Sequence, residues 1–320
     1  MDFASVFNPI TGELQRFESE YRRILESDSI IIRQITEHLF GASGKRLRPA
    51  LLYLTAGDSS DKALYPALAV ELIHTATLLH DDVIDESRTR RGIETVNYKW
   101  NNLVSVLMGD YLFAKAFGLL VQAELPELMA SFSVATERVS VGELNQAFNT
   151  GNFDITEEIY IQVIADKTAS LFACSAEAGA LCSGLDRNAI TLLRDYGENL
   201  GLAFQIADDL LDLIGETTKT GKTLGSDIRE GWVTLPLIHA LRNGGHRYKD
   251  EFKEMLGGDV ADGDLNRIVE FVRSHGGIEY AEQKAWGYVQ KATSILGELG
   301  GLPMKGELEK LANLAAVRDR

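Results

Sequence analysis

The chain has 320 residues, 45% of them hydrophobic and 25% charged, with only 6 prolines, a composition that excludes intrinsic disorder, collagen and low-complexity linkers. Against 32 basic residues stand 47 acidic ones, for a net charge of −15; duplex binders present a basic face, so nucleic acid is not expected as a partner. Anionic small substrates stay open, because a few basic residues in a cleft outweigh the total.

Apolar residues recur at helical spacing almost throughout, as in the stripe Leu64, Leu68, Leu72, Ala76 and Leu79. In chain order the expected helices cover residues 12–26, 30–40, 49–56, 64–84, 96–123, 126–149, 156–183, 187–214, 235–243, 265–274, 278–296 and 305–317. Thr156 with Glu158, and Asp186, read as helix starts; Gly41, Gly92 and Gly215 read as stops. No alternating β-branched run is bounded by turn pairs, so no sheet is expected. No composition shift, linker or fixed-period repeat divides the chain, and one all-α domain over residues 1–320 is the economical reading. Its longest polar stretch, 216–234, has the character of a functional loop.

The start, Met1-Asp2-Phe3, lacks a signal-peptide layout. No apolar run reaches the ~18–20 residues of a membrane span; the best, 103–123, is interrupted by Asp110 and Lys115. Cys174 and Cys182 make neither a disulfide framework nor a zinc pattern. A soluble protein in a reducing, cytoplasmic compartment is the expectation.

Two acidic triplets share one spacing: Asp81-Asp82-Val83-Ile84-Asp85 and Asp208-Asp209-Leu210-Leu211-Asp212. The first and fifth positions of each lie on nearly one helical face. Each follows an apolar stretch and sits near the end of its helix, where the dipole disfavours a carboxylate by roughly 0.3–1 kcal/mol. A cation should compensate, and an all-oxygen set suits a hard ion such as Mg²⁺. One such triplet is as readily a solvated helix end; two with identical spacing behind apolar runs are much less so.

Basic residues gather in two places. Gly41-Ala42-Ser43-Gly44-Lys45-Arg46-Leu47-Arg48-Pro49 puts three basic residues in a glycine-containing turn just ahead of a helix, a plausible phosphate cradle. Arg88, Arg90 and Arg91 follow the first triplet; as surface groups each would form an ion pair worth ~0–1 kcal/mol. No stretch has the Walker A spacing. Glu71-Leu72-Ile73-His74 matches the E-x-x-H of di-iron bundles, but that site needs the motif twice and it occurs once. A lone His in an apolar helix is more often a satisfied core residue.

G-K-R-L-R-P at 44–49, H-T-A-T-L-L-H-D-D-V-I-D-E-S-R-T-R-R-G at 74–92, F-Q-I-A-D-D-L-L-D at 204–212 and G-K-T-L-G-S-D at 221–227 resemble the trans-isoprenyl diphosphate synthases, the long-chain polyprenyl branch most. The resemblance runs from about Ile30 to Leu237 and preserves motif order. It implies a single isoprenoid synthase-type helical bundle around a deep central cavity, with the acidic motifs facing each other across the mouth. By resemblance Asp81, Asp85, Asp208 and Asp212 bind Mg²⁺ that grips the allylic diphosphate, with Asp82 and Asp209 supporting. Lys45, Arg48, His74 and Arg91 would hold isopentenyl diphosphate, which overturns the core reading of His74. Arg90, Lys167, Thr168, Gln205 and Lys222 would contact the allylic prenyl diphosphate, and Asp81, Asp85, Asp208, Lys167 and Lys222 are the expected catalytic set.

Such chemistry needs a departing diphosphate neutralised electrostatically and a dry site for an allylic carbocation, with no side-chain nucleophile. In short-chain relatives, bulky aromatics just ahead of the first motif block the growing tail. Here Ile73, Ala76 and Thr77 occupy that region, no aromatic lies between Pro66 and His80, and a long product is expected. A floor from Phe132 or Phe148 would shorten it. Two positions depart from the family: Ser43 replaces a glycine, and Trp232 stands where many relatives carry Lys. A terpene cyclase would lack the second D-D-x-x-D, and a non-catalytic partner subunit would show degraded motifs. The family also implies a homodimer.

Overall fold

The computed structural model describes residues 2–41, 44–215, 225–244, 247–256 and 262–317. Ser43, Lys222 and residues 216–224 of the 216–234 loop lie outside the described residues. In chain order the chain forms α1 Phe3–Phe7, α2 Thr11–Ile24, α3 Ile30–Phe40, α4 Leu47–Ala56 and α5 Ser60–Ile84. The strands β1 Thr89–Arg90 and β2 Ile93–Glu94 precede α6 Val96–Lys99, α7 Asn102–Gln122, α8 Pro126–Asn149 and α9 Glu157–Ile164. A π-helical turn, Ala165–Ala169, leads into α10 Ser170–Ser183 and α11 Arg187–Ile214. Then come α12 Ser226–Arg229, α13 Leu235–Gly244, α14 Arg247–Leu256, α15 Asp262–Ser274, α16 Gly277–Glu298 and α17 Lys305–Ala316.

The all-α expectation holds, with α3, α8 and α11 ending where the periodicity places them. The starts hold too: Thr156 Oγ1 accepts from the Ile159 N–H, and Asp186 Oδ1 from the Ala189 N–H. Three expectations are corrected. The 96–123 helix breaks at Trp100-Asn101, because the Asn101 side chain caps a new helix through the Val104 N–H at 2.9 Å. The chain also has a small sheet: Thr89 pairs with Glu94 and Arg90 with Ile93, antiparallel. Arg91 and Gly92 have φ of 51° and 80°, the left-handed pair that a two-residue hairpin turn of the I′ type requires. Gly92 is therefore a hairpin residue and not a helix stop. The helix α14 is an addition to the expected set, although its Tyr248, Phe252 and Met255 stripe has helical spacing.

The chain divides into two compact units, each assembled from three stretches. The first comprises residues 1–136, 171–197 and 296–311. Its core is built on α4, where Ala50, Leu51, Leu52 and Leu54 are fully buried, and on the inner face of α5. The helix α7 packs along α5; it is long and apolar enough to cross a membrane by composition alone, yet carries Asp110 and Lys115. Lys115 Nζ donates to the Ile24 carbonyl at 2.7 Å, capping α2 with a cation where the dipole favours one. The second unit comprises 137–170, 198–295 and 312–320. Tyr160, Ile206, Trp232, Leu235, Ile268 and Ala281 are among its core residues.

Candidate functional site

The two acidic motifs belong to different units, and each has its own surroundings. In the first unit, α5 buries Ile73, Ala76, Leu79 and Asp82 while His74, Thr77, Leu78, Asp81 and Asp85 are half-buried. That half-buried stripe follows the i, i+3, i+4, i+7 spacing of one helical face. Asp82 points inward, and Arg90 Nε on β1 donates to its Oδ1 at 2.7 Å. Asn97 Nδ2 on α6 donates to the Asp82 carbonyl at 2.9 Å and to that of Ser87 at 3.2 Å, tying the end of α5 to the segment after the hairpin. Desolvation raises the Asp82 carboxyl above its usual range, and Arg90 opposes that shift. The central Asp of the motif thus braces the helix end, leaving Asp81 and Asp85 at the surface.

The basic turn before α4 approaches the hairpin turn. The Arg91 guanidinium lies over Gly44, its Nη1 2.6 Å from where a Cβ would sit, so a larger residue there would displace it. Lys45 is exposed, its Nζ 5.0 Å from the Phe3 ring centre, and Arg48 stacks over Phe172 at 4.7 Å. Around His74 this makes a positive enclosure. Burial, then the guanidiniums of Arg48, Arg91, Arg90 and Arg46, hold its imidazole well below the ordinary range. The ring is therefore neutral near pH 7, able to donate from one nitrogen and accept at the other. A cavity of about 80 Å³ lies against His74, Arg90 and Arg91 and reaches Tyr21 and Thr36. A field of this sign suits a polyanion.

In the second unit the central Asp of the motif is again the buried one. Asp209 Oδ2 accepts from the Tyr160 hydroxyl at 2.6 Å, and its Oδ1 from Gln205 Nε2 at 2.7 Å. Gln205 Oε1 accepts in turn from Thr168 Oγ1 at 2.8 Å. Desolvation raises the Asp209 carboxyl; these two hydrogen bonds oppose the shift, while Asp208 and Asp212 add to it. Trp232 packs on the other side of Tyr160, the rings stacked with centroids 6.3 Å apart. At 5% exposure Trp232 is a core residue, which accounts for an indole at that position.

Asp208 is half-buried. Asp212 is engaged differently: Oδ1 accepts from the Ser226 N–H and hydroxyl, Oδ2 from the Asp227 N–H. It caps α12, and among the described residues three donors already engage its two oxygens.

Lys167 and Thr168 sit on the π turn, a distortion that often re-aims side chains at functional sites. Asp166, 6% exposed, anchors the turn by accepting from Arg138 Nε and Gln162 Nε2, both at 2.7 Å. Arg138 also donates to both oxygens of Glu198. Gly142 lets α8 press onto the turn, since a Cβ there would overlap the Lys167 backbone. The Lys167 ammonium pairs with Glu143 Oε2 at 2.9 Å.

Of the positions expected to set product length, Ile73 and Ala76 are fully buried, and Thr77 alone meets the surface. Phe132 is fully buried and Phe148 is 88% exposed, so within one chain Phe148 closes no tunnel. Among the described residues no three His, Cys, Asp or Glu side chains converge into a protein-only metal cage. The donors present, pairs of surface carboxylates without nitrogen or sulfur, fit a hard cation that keeps waters and shares substrate phosphates, as Mg²⁺ does. Tyr160, Asp166, Arg138 and Asn97 were not legible beforehand. None belongs to a spaced motif, and only its tertiary partners mark it: Asp209 for Tyr160, Arg138 for Asp166, and the Asp82 and Ser87 carbonyls for Asn97.

A family profile described as polyprenyl synthetase matches residues 29–272. An octaprenyl diphosphate synthase of Escherichia coli strain K12 is 37% identical over 303 residues, 92% of this chain and 93% of its own. A geranylgeranyl diphosphate synthase of Saccharolobus solfataricus is 36% identical over 309 residues, 93% of this chain and 92% of its own. A polyprenyl synthase from Caulobacter crescentus CB15, solved with calcium and isoprenyl diphosphate, superposes with a TM-score of 0.93 at 37% identity, covering 98% of this chain and 97% of that one.

Proposed function

This chain belongs to the polyprenyl synthetase family and is a prenyltransferase of the trans-prenyl diphosphate synthase kind, and from that premise we propose that it condenses isopentenyl diphosphate with an allylic prenyl diphosphate into a long-chain all-trans polyprenyl diphosphate. The observation that carries the reading is the shared construction of the acidic motifs. In each, the central Asp is locked inward by a cationic or hydroxyl donor while flanking carboxylates stay at the surface. A partner subunit without turnover would have no use for that.

In this reading Asp81, Asp85, Asp208 and Asp212 hold Mg²⁺, which would neutralise the departing allylic diphosphate as a Lewis acid. Arg90, Lys167, Thr168, Gln205 and Lys222 bind the allylic substrate, Arg90 and Lys167 sharing themselves between it and Asp82 and Glu143. Lys45, Arg48, His74 and Arg91 hold the isopentenyl diphosphate, a neutral His74 adding a hydrogen bond where a fourth cation would repel its neighbours. Ionisation of the allylic C–O bond leaves a carbocation, the isopentenyl double bond attacks it, and a proton is lost to the released diphosphate. All of this fits one polyprenyl synthetase domain over residues 1–320.

A small Thr77 one turn before Asp81 supports a long tail, as does the likeness to an octaprenyl synthase. A shorter product is the second reading, favoured by the buried state of Ile73 and Ala76 and by a likeness to a geranylgeranyl synthase at 36% identity. A cytoplasmic homodimer is part of the proposal. Leu103, Leu107 and Val121 on α7 and Val134, Val141, Leu144 and Phe148 on α8 are all exposed, apolar groups that a second copy would cover.

Radiolabelled isopentenyl diphosphate is incubated with farnesyl diphosphate and Mg²⁺, and the dephosphorylated products are chromatographed. A ladder ending in one dominant long prenol is expected. A stop at the geranylgeranyl stage would establish the shorter reading, and no incorporation with any allylic primer would remove the synthase reading.

A further inference from the structure

Arg46 lies between two residues assigned to isopentenyl diphosphate, yet its own side chain turns away from solvent. Its backbone is left-handed, φ 52° and ψ 38°, a conformation that L residues other than Asn and Asp seldom adopt. The guanidinium is 12% exposed and forked between two acids: Nε to Glu18 Oε1 at 2.6 Å and Nη1 to Glu71 Oε1 at 2.5 Å. Nη2 reaches Glu18 Oε2 at 3.5 Å. The Tyr21 and Phe17 rings lie 5.1 and 5.9 Å away. Glu71 is 5% exposed and sits on α5 one turn before His74. Thr75 Oγ1 donates to the Glu71 carbonyl at 2.8 Å and meets the Tyr21 hydroxyl at 3.0 Å, so α2 and α5 are cross-linked around the pair.

We propose that Arg46, held by Glu71 and Glu18, is a positioning residue for the isopentenyl diphosphate: it pins the Lys45–Arg48 turn to the helix that carries His74. The inference rests on the reading of Lys45, Arg48 and His74 given above. Its charge is already matched by two carboxylates, so Arg46 offers little to a substrate. A buried ion pair contributes little net stability over apolar packing of the same volume; its best-attested use is to specify geometry. Here the geometry specified is an unfavourable backbone state at the residue joining two phosphate ligands, and the Glu of the orphan E-x-x-H acquires a purpose.

The test is steady-state kinetics with each substrate varied in turn. Arg46→Lys keeps the charge but cannot fork to both acids. Its KM for isopentenyl diphosphate should rise about tenfold or more, while kcat and the KM for farnesyl diphosphate stay within about threefold. Should that variant fold poorly, Arg46→Met with Glu71→Gln removes the buried charges together and should show the same split. An unchanged KM for isopentenyl diphosphate in a variant melting like wild type would overturn the proposal, and so would a parallel rise for both substrates. Arg48→Ala separates the two failures. If it leaves the isopentenyl KM unchanged, the assignment of the site is wrong; if it raises that KM and the Arg46 variants do not, only the positioning role falls.

Discussion

The neutral state of His74 has a measurable thermodynamic consequence. In the unfolded chain an imidazole takes up its proton near pH 6.5, whereas in the fold burial and four guanidiniums keep His74 unprotonated well below that. Below pH 6.5 the unfolded state therefore binds the extra proton, and stability falls as pH falls. The contribution is intact above the unfolded pKa and is lost on the acid side. At about pH 5.5 the loss is bounded by RT ln(1 + 10), about 1.4 kcal/mol, the limit reached when the folded imidazole stays unprotonated there. Urea unfolding of the wild type and His74→Gln at about pH 7.5 and 5.5 isolates the term, because every other titration is common to both. The wild type should lose up to about 1.4 kcal/mol more than the variant across that interval. Saturating inorganic diphosphate, by offsetting the guanidinium field, should narrow the difference. Parallel losses within about 0.3 kcal/mol would refute the enclosure of His74 by the arginines.

Other outcomes follow from the same geometry. Asp81→Asn should lower turnover by roughly a hundredfold or more, with excess Mg²⁺ recovering part of it; an unchanged Mg²⁺ dependence would argue against Asp81 as a ligand. Thr77→Phe, placing a ring one turn before Asp81, should end the product ladder earlier without abolishing condensation, read by chromatography of the prenols. Trp232→Lys should cost about 3–5 kcal/mol in chemical denaturation, because it leaves a cavity beside Tyr160 and buries a charge; a stability like that of the wild type would contradict the core role. Tyr160→Phe removes a donor from buried Asp209 and should destabilise by about 1–3 kcal/mol.

The helices and both acidic motifs could be read from the amino-acid order because their signals are local. Apolar spacing at 3.6 residues needs no knowledge of the partner surface, and caps such as Thr156 and Asp186 act within three residues. The D-D-x-x-D repeats stand out by spacing alone. What spacing could not supply was which carboxylate of each triplet turns inward, since that depends on Arg90 reaching Asp82 and Tyr160 reaching Asp209 from other elements. The same limit explains the hairpin at 89–94, where two residues per strand leave no alternation to detect, and the break at Asn101, where one side chain outcompetes the apolar pattern. Glu71 shows the divide most plainly. In the sequence it is half of an unmatched E-x-x-H; in the fold it is the buried partner of Arg46, a residue 25 positions away. Local order set the periodicity and the inventory of charges. Only tertiary structure decided which charges are buried and paired, because the free energy of an ionised group depends on what desolvates and neutralises it.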